Sequence, residues 1–177
     1  MKKLLLLVLG VMVITACQNK PERFTTTSTN IDVVKKLVAD YHKGDWEAWR
    51  TNYNDAAKVY HNTWKNAATP EEIRDGLKGL LANTSKYHFD ESEDAIFYEQ
   101  TIDDEGKTWV NFWGNWQGTL ATNGQELEIP VHLSCLMKDG KIAAEYGFYN
   151  LGEINAALKA IAEVEATKAA EESDATE

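Results

Sequence analysis

Four long stretches alternate apolar with polar residues: Tyr87–Gln100, Lys107–Ala121, Gln125–Lys138 and Lys141–Tyr149. They are separated by Asp103-Asp104-Glu105-Gly106, Thr122-Asn123-Gly124 and Asp139-Gly140. Alternation at period two is the mark of a strand with one buried face, and Asn-Gly or Asp-Gly between such stretches is the strongest short-range hairpin signal. The pattern predicts four long antiparallel strands in a meander.

The half before them reads differently. Ile31, Val34, Leu37, Val38 and Tyr41 recur every three or four positions, behind Asn30 or Asp32 as a cap. Gly44 stops that helix, and Asp45 restarts a short one carrying Trp46, Trp49 and Tyr53. Lys58–Asn62 reads as a short strand. Thr69-Pro70-Glu71-Glu72 then offers an N-cap threonine, a proline at the first helical position and a glutamate at the third, a capping box. The helix it starts carries Ile73, Leu77, Leu80 and Leu81 and ends near Asn83, with Gly76 and Gly79 read as permitting close packing. A last helix runs from Glu153 to about Glu165. Asp90, Glu91, Glu93 and Asp94 read as the wet edge of an early strand, where their charge discourages strand-to-strand aggregation. Helices followed by a meander give an α+β fold, a cone-shaped curved antiparallel sheet wrapped on the N-terminal helices.

The first residues carry an address. Lys2 and Lys3, the apolar run Leu4–Ile14 and then Thr15-Ala16-Cys17 resemble a bacterial lipobox, and the apolar run is too short to span a bilayer. That resemblance implies a signal peptide over 1–16 and diacylglycerol on Cys17. A Thr-, Ser- and Asn-rich tether then covers 17–29, the domain 30–165, and an acidic disordered tail 166–177. The chain would sit at the bacterial cell envelope, lipid-anchored, and Gln18 after the cysteine resembles signals routed to the outer membrane. Removing Lys2 and Lys3 leaves 16 basic against 28 acidic residues, a formal charge of −12. So acidic a chain, without a Lys/Arg cluster, excludes a nucleic-acid binder, and membrane contact is expected through the lipid alone. Cys135 has no partner for a disulfide once Cys17 is acylated.

Val33-Val34-Lys35-Lys36-Leu37 through Gly44-Asp45-Trp46-Glu47-Ala48-Trp49, and Lys138-Asp139-Gly140-Lys141-Ile142 followed by Phe148-Tyr149-Asn150, carry a family resemblance. Over residues 30–152 the layout is similar to the nuclear transport factor 2-like superfamily, more narrowly its SnoaL-like branch. That resemblance implies an apolar cavity between sheet and helices. Its members include cyclases, isomerases, dehydratases, epoxide hydrolases and proteins with no reaction, so fold alone does not name an activity. Members often dimerise through the outer sheet face.

Candidate residues follow from the pattern. Trp109, Asn111, Trp113 and Asn115 share one strand face, and Val110, Phe112, Gly114 and Trp116 the other. The reading assigns Tyr60, Trp64, Trp113, Tyr146 and Phe148 to the cavity wall, with His61 and Asn111 orienting a small apolar or aromatic ligand. In the family, catalysis leans on a carboxylate on the last strand working with a histidine or arginine. Here Gly147 and Asn150 stand where hydrolase relatives carry aspartates, and Glu145 reads as solvated. No acid–base pair emerges, so reversible binding without catalysis is the first reading. A hydrolase or isomerase using His61 or His132 as general base is the second, and a protein-interaction or homodimerisation module the third. His132 faces with Ser134 and Glu145 if the Asp139-Gly140 loop has two residues, and with Ala144 if it has three. No metal-ligand spacing, phosphate loop or nucleophile elbow appears, so neither a metal nor another cofactor is expected.

Overall fold

The computed structural model describes residues 23–92 and 94–174. The residues read as a signal peptide, Cys17 and Glu93 lie outside those residues. The first elements are β1 (Phe24–Thr25), α1 (Thr29–Lys43), α2 (Trp46–Thr51), β2 (Tyr53–His61) and α3 (Pro70–Leu81). They are followed by β3 (Thr84–Phe89), β4 (Ile96–Ile102), β5 (Thr108–Leu120), β6 (Glu126–Lys138), β7 (Lys141–Tyr149) and α4 (Gly152–Asp174).

α1 begins two to four residues earlier than the Asn30 or Asp32 cap suggests, with Ser28 as the cap, because the cap is chosen by tertiary contact. Ser28 Oγ accepts from Ile31 N at 3.1 Å and itself donates to Gln100 Oε1 on β4 at 2.8 Å. Ile31, Val34 and Leu37 are fully buried against the sheet, each stabilising the packed state by about 1.5–3 kcal/mol. Gly44 ends the helix in the left-handed region at φ 67°, and Asp45 caps α2 through Ala48 N. The Thr69 capping box forms as the sequence predicts. Gly76 and Gly79 are a correction: a Cβ at either would meet nothing within 4 Å, so close packing is not what they permit.

Seven strands form one curved sheet in the order β1-β4-β5-β6-β7-β2, with β3 pairing the far end of β5. The expected meander is present, yet the sheet is mixed, because β2 runs parallel to β7. The stretch expected as a single strand over Tyr87–Gln100 is two. Asp90, Glu91 and Asp94 lie in the connection between β3 and β4, not on a strand edge, and Asp90 Oδ1 accepts from Ser92 N there. Phe24 and Thr25, expected in a loose tether, add an edge to β4 because its outer amides are otherwise free; Ile102 N donates to Arg23 O at 2.9 Å. The last helix continues to Asp174 instead of ending near Glu165.

One irregularity decides which residues face inward. The β6–β7 hairpin turns at Asp139 and Gly140 with φ 53° and 71°, a two-residue turn. Lys138 pairs Lys141 and Met137 pairs Ile142, but Leu136 then pairs Ala144. That bulge inserts one residue into β7 and inverts its alternation. Ile142 points inward before it, and Glu145, Gly147 and Tyr149 point inward after it. Ala144, Tyr146 and Phe148 turn to the outer face. His132 pairs Phe148 and shares the outer face with Ala144, the face expected of a three-residue loop, because the bulge and not the turn supplies the extra residue.

Candidate active site

Beyond the bulge, β7 presents Glu145, Gly147 and Tyr149 in a row toward the helices. The parallel register of β2 sets His61 directly beside Gly147. With no side chain at Gly147, the imidazole lies over its backbone; a Cβ there would sit 2.6 Å from His61 Cδ2. Residues two apart on a strand are about 6.7 Å apart. A ring centred between Glu145 and Tyr149 can therefore reach both. His61 Nε2 lies 2.7 Å from Glu145 Oε1, and His61 Nδ1 lies 2.9 Å from Tyr149 Oη. Tyr53 donates to the other carboxylate oxygen at 2.6 Å, and the Cys135 thiol approaches that oxygen at 3.9 Å.

Glu145 is 1% exposed, so it is buried and partnered where the sequence suggested solvent. A buried carboxylate needs donors, and this one has Tyr53, His61 and Cys135. With the carboxylate ionised, Nε2 carries the imidazole proton toward it, leaving Nδ1 to accept from the Tyr149 hydroxyl. Burial and the Glu145 charge push the Tyr149 phenol up to about 12, and they raise the Tyr53 phenol and the Cys135 thiol well above their usual values. All three stay protonated as donors. Cys135 is therefore a poor nucleophile.

This row closes one end of a cavity of about 90 Å³. Leu37, Val38, Leu77, Leu80, Ile129 and Val131 wall it, with rings from Trp49, Phe89 and Trp116. Among the described residues, no lysine or arginine lines it. At about 10–15 Å³ per water-sized position, the space suits a small ring rather than a polycycle. Among the described residues, no group of three or more metal-ligating side chains occurs.

Of the residues assigned to this cavity from the sequence, His61 lines it. Tyr60, Trp64, Asn111, Trp113, Tyr146 and Phe148 do not; they gather on the outer face of the sheet. Tyr60 stacks on Tyr146 at 4.8 Å, Trp64 packs on Tyr146 and Phe148, and Trp113 stacks on His132 at 4.5 Å. Asn111 Nδ2 donates to Glu99 Oε1. For Tyr146 and Phe148 the cause is the bulge; for Asn111 and Trp113 it is that Val110, Phe112 and Trp116 are the inward set on β5. His132 as a base for the cavity is likewise corrected, since it lies across the sheet. Glu145, Tyr149 and Tyr53 are the residues sequence reasoning missed. The signal available was a glycine flanked by Glu145 and Tyr149 two residues away on each side.

No family model matches the sequence, and no curated protein matches it. Solved structures match through the fold. PrhC from Penicillium brasilianum NBRC 6234 superposes with TM-score 0.60 at 14% identity, over 81% of this chain and 95% of that one. An NTF2-like protein of unknown function from Burkholderia pseudomallei K96243 gives TM-score 0.54 at 12% identity, over 72% and 95%. TerC co-crystallised with polyporic acid gives 0.54 at 13%, over 72% and 96%. The chain has the α+β cone fold of the nuclear transport factor 2-like superfamily and its SnoaL-like polyketide cyclases.

Proposed function

We propose that this chain binds a small, neutral, largely apolar molecule between sheet and helices and moves a proton on it. Tyr149 touches the ligand, with His61 and Glu145 behind it. The observation that carries the reading is the Tyr149–His61–Glu145 row at the polar end of an apolar cavity. The absence of lysine and arginine from the lining favours a neutral ligand over a carboxylate or phosphate. TerC, a neighbour in fold, co-crystallises with polyporic acid, which agrees with a small-molecule site.

The step is a relay. A ligand proton passes to the Tyr149 oxygen while the Tyr149 proton passes to His61 Nδ1, and Glu145 holds the imidazolium that results. Return of a proton to a second atom of the ligand completes an isomerisation and restores the resting row. A phenol pushed up to about 12 does not ionise alone, so both transfers occur together, as for the hydroxyl of a Ser-His-Asp triad. This takes up the general-base reading of His61 in place of binding without catalysis.

The test uses α-proton exchange of cyclohexanone in D2O, followed by NMR, with tryptophan fluorescence reporting occupancy through Trp49 and Trp116. Catalysed exchange that Tyr149→Phe and His61→Ala lower by about 10²–10⁴-fold supports the relay. Saturable quenching with no exchange above buffer would return the cavity to binding alone. By the same proposal, Lys2–Cys17 directs the chain to the envelope and Cys17 carries its lipid. Mass spectrometry of the N-terminal peptide finding an unmodified Cys17 would refute that part.

A further inference from the structure

Gly76 and Gly79 stand in the middle of α3 with no local reason to be glycine. Neither lies in the left-handed region, and a Cβ at either would meet nothing within 4 Å. Both positions are exposed, where a helix gains from alanine, lysine or glutamate. Each glycine instead moves the helix–coil balance about four- to fivefold toward coil relative to alanine. Two of them within one turn of a 12-residue helix leave its centre weak.

The ends of α3 are built the other way. At the front, the Thr69 capping box closes the first turn, Pro70 is fully buried, and Arg50 on α2 pairs with Glu71. At the back, Leu81 is buried and Thr84 Oγ1 donates to its carbonyl at 2.8 Å. Asn83 Nδ2 donates to the Gly79 carbonyl at 3.1 Å, and Asn83 O accepts from Ala121 N, just past β5, at 2.9 Å. Between these anchors, among the described residues, no hydrogen bond or ion pair joins 76–80 to another helix or strand.

The weak centre carries part of the cavity wall. Leu77 and Leu80 line the cavity from α3, and both are only half-buried. Leu37, Ile129 and Leu133 line it too, but they are buried, on a helix without glycine and on a strand laddered at both edges. One wall is thus held by packing and hydrogen bonds while another is held only at its ends.

We infer that α3 is the moving wall of the cavity: its central turn unwinds at Gly76 and Gly79 to admit the ligand, then re-forms with Leu77 and Leu80 closed over it. The inference takes from the proposed function that a small apolar molecule occupies the cavity, and it does not need a proton to move there. Because both ends of α3 stay anchored, the opening is local and leaves the Tyr149–His61–Glu145 row in place. Such a wall has a kinetic signature. Alanine at both positions lowers the open fraction about 20-fold, in the free and the occupied chain alike. Entry and exit then slow together, and affinity barely moves.

The test has two arms on the full chain. Hydrogen exchange without ligand should show the amides of Gly76–Ala82 exchanging at least about tenfold faster than those of α1 and β5, with little dependence on denaturant, as a local opening does. Stopped-flow quenching of Trp49 and Trp116 by cyclohexanone reads entry and exit. In Gly76→Ala/Gly79→Ala, α3 exchange and both rate constants should fall about 20-fold, with Kd within about twofold of wild type. Lys78→Ala, on the same exposed turn, should leave both rates within about twofold. Exchange of α3 no faster than that of β5, or unaltered rates in the double alanine variant, overturns the moving wall. No saturable quenching by cyclohexanone overturns occupancy of the cavity instead, and the exchange arm alone then decides whether α3 opens.

Discussion

Replacing Gly147 by alanine sets a methyl carbon 2.6 Å from His61 Cδ2 and 2.9 Å from Nε2. Both distances are closer than a Cβ contact can be, so something must move. The backbone on either side is fixed by the β2–β7 ladder, including Asn62 N to Gly147 O at 2.8 Å. The ring is the element left to yield, and it is held at both nitrogens. Pushing it aside costs about 1–3 kcal/mol in overpacking, and weakening its charge-assisted bond to Glu145 adds about 1.5–3 kcal/mol. A loss of about 2.5–6 kcal/mol lowers Tm by roughly 5–25 °C in a domain of this size. Thermal melts of Gly147→Ala, His61→Ala and the double variant test the cause. Without the imidazole the clash is gone, and alanine in place of glycine then stabilises by about 0.5 kcal/mol through the unfolded chain. The substitution should thus change sign between backgrounds, a coupling well above ordinary additivity error. An equal fall in Tm in both backgrounds would refute the claim that Gly147 exists to seat His61.

Glu145→Leu leaves Tyr53, Cys135 and His61 facing a lost acceptor, and urea titration should report a loss of about 3–5 kcal/mol. Thr69→Ala removes the hydroxyl that caps α3, for about 1 kcal/mol by the same assay, while Thr69→Ser should recover most of it. Burial raises the phenols of Tyr41 and Tyr53, and those of Tyr98 and Tyr149 to about 12. Their folded values exceed the unfolded value of about 10, so the stability they confer is intact below pH 10 and drains away as pH rises toward 12. Ultraviolet titration should show these four ionising only with alkaline unfolding; early, reversible titration of all tyrosines near pH 10 would contradict that burial.

Most elements were legible because local chemistry and tertiary context agree on them. Thr69-Pro70-Glu71-Glu72 forms its box, Gly44 and Asp45 divide two helices, and Asp139-Gly140 makes the two-residue turn. The site was hidden by a feature with no strong sequence mark, the bulge between Ile142 and Ala144. Extending the alternation of Ile142 through it turns Tyr146 and Phe148 inward and Glu145 outward, the reverse of what the sheet does. The parallel pairing of β2 was equally invisible, since it joins positions 84 apart, His61 and Glu145. Composition also misled. Rings are dense on both faces of β5, and nothing local says which set a helix covers.

Because β2 finds its ladder partner in β7 alone among the described strands, its amide edge waits through synthesis of nearly the whole remaining chain. On the ribosome, His61 emerges long before the carboxylate and phenol that will hold it. Loop closure over such a span is slow and comes late. The proton-handling row is thus the final seam to close, and a chain interrupted before Glu145 lacks both the acceptor that holds His61 and most of the strand that ties β2 to the sheet.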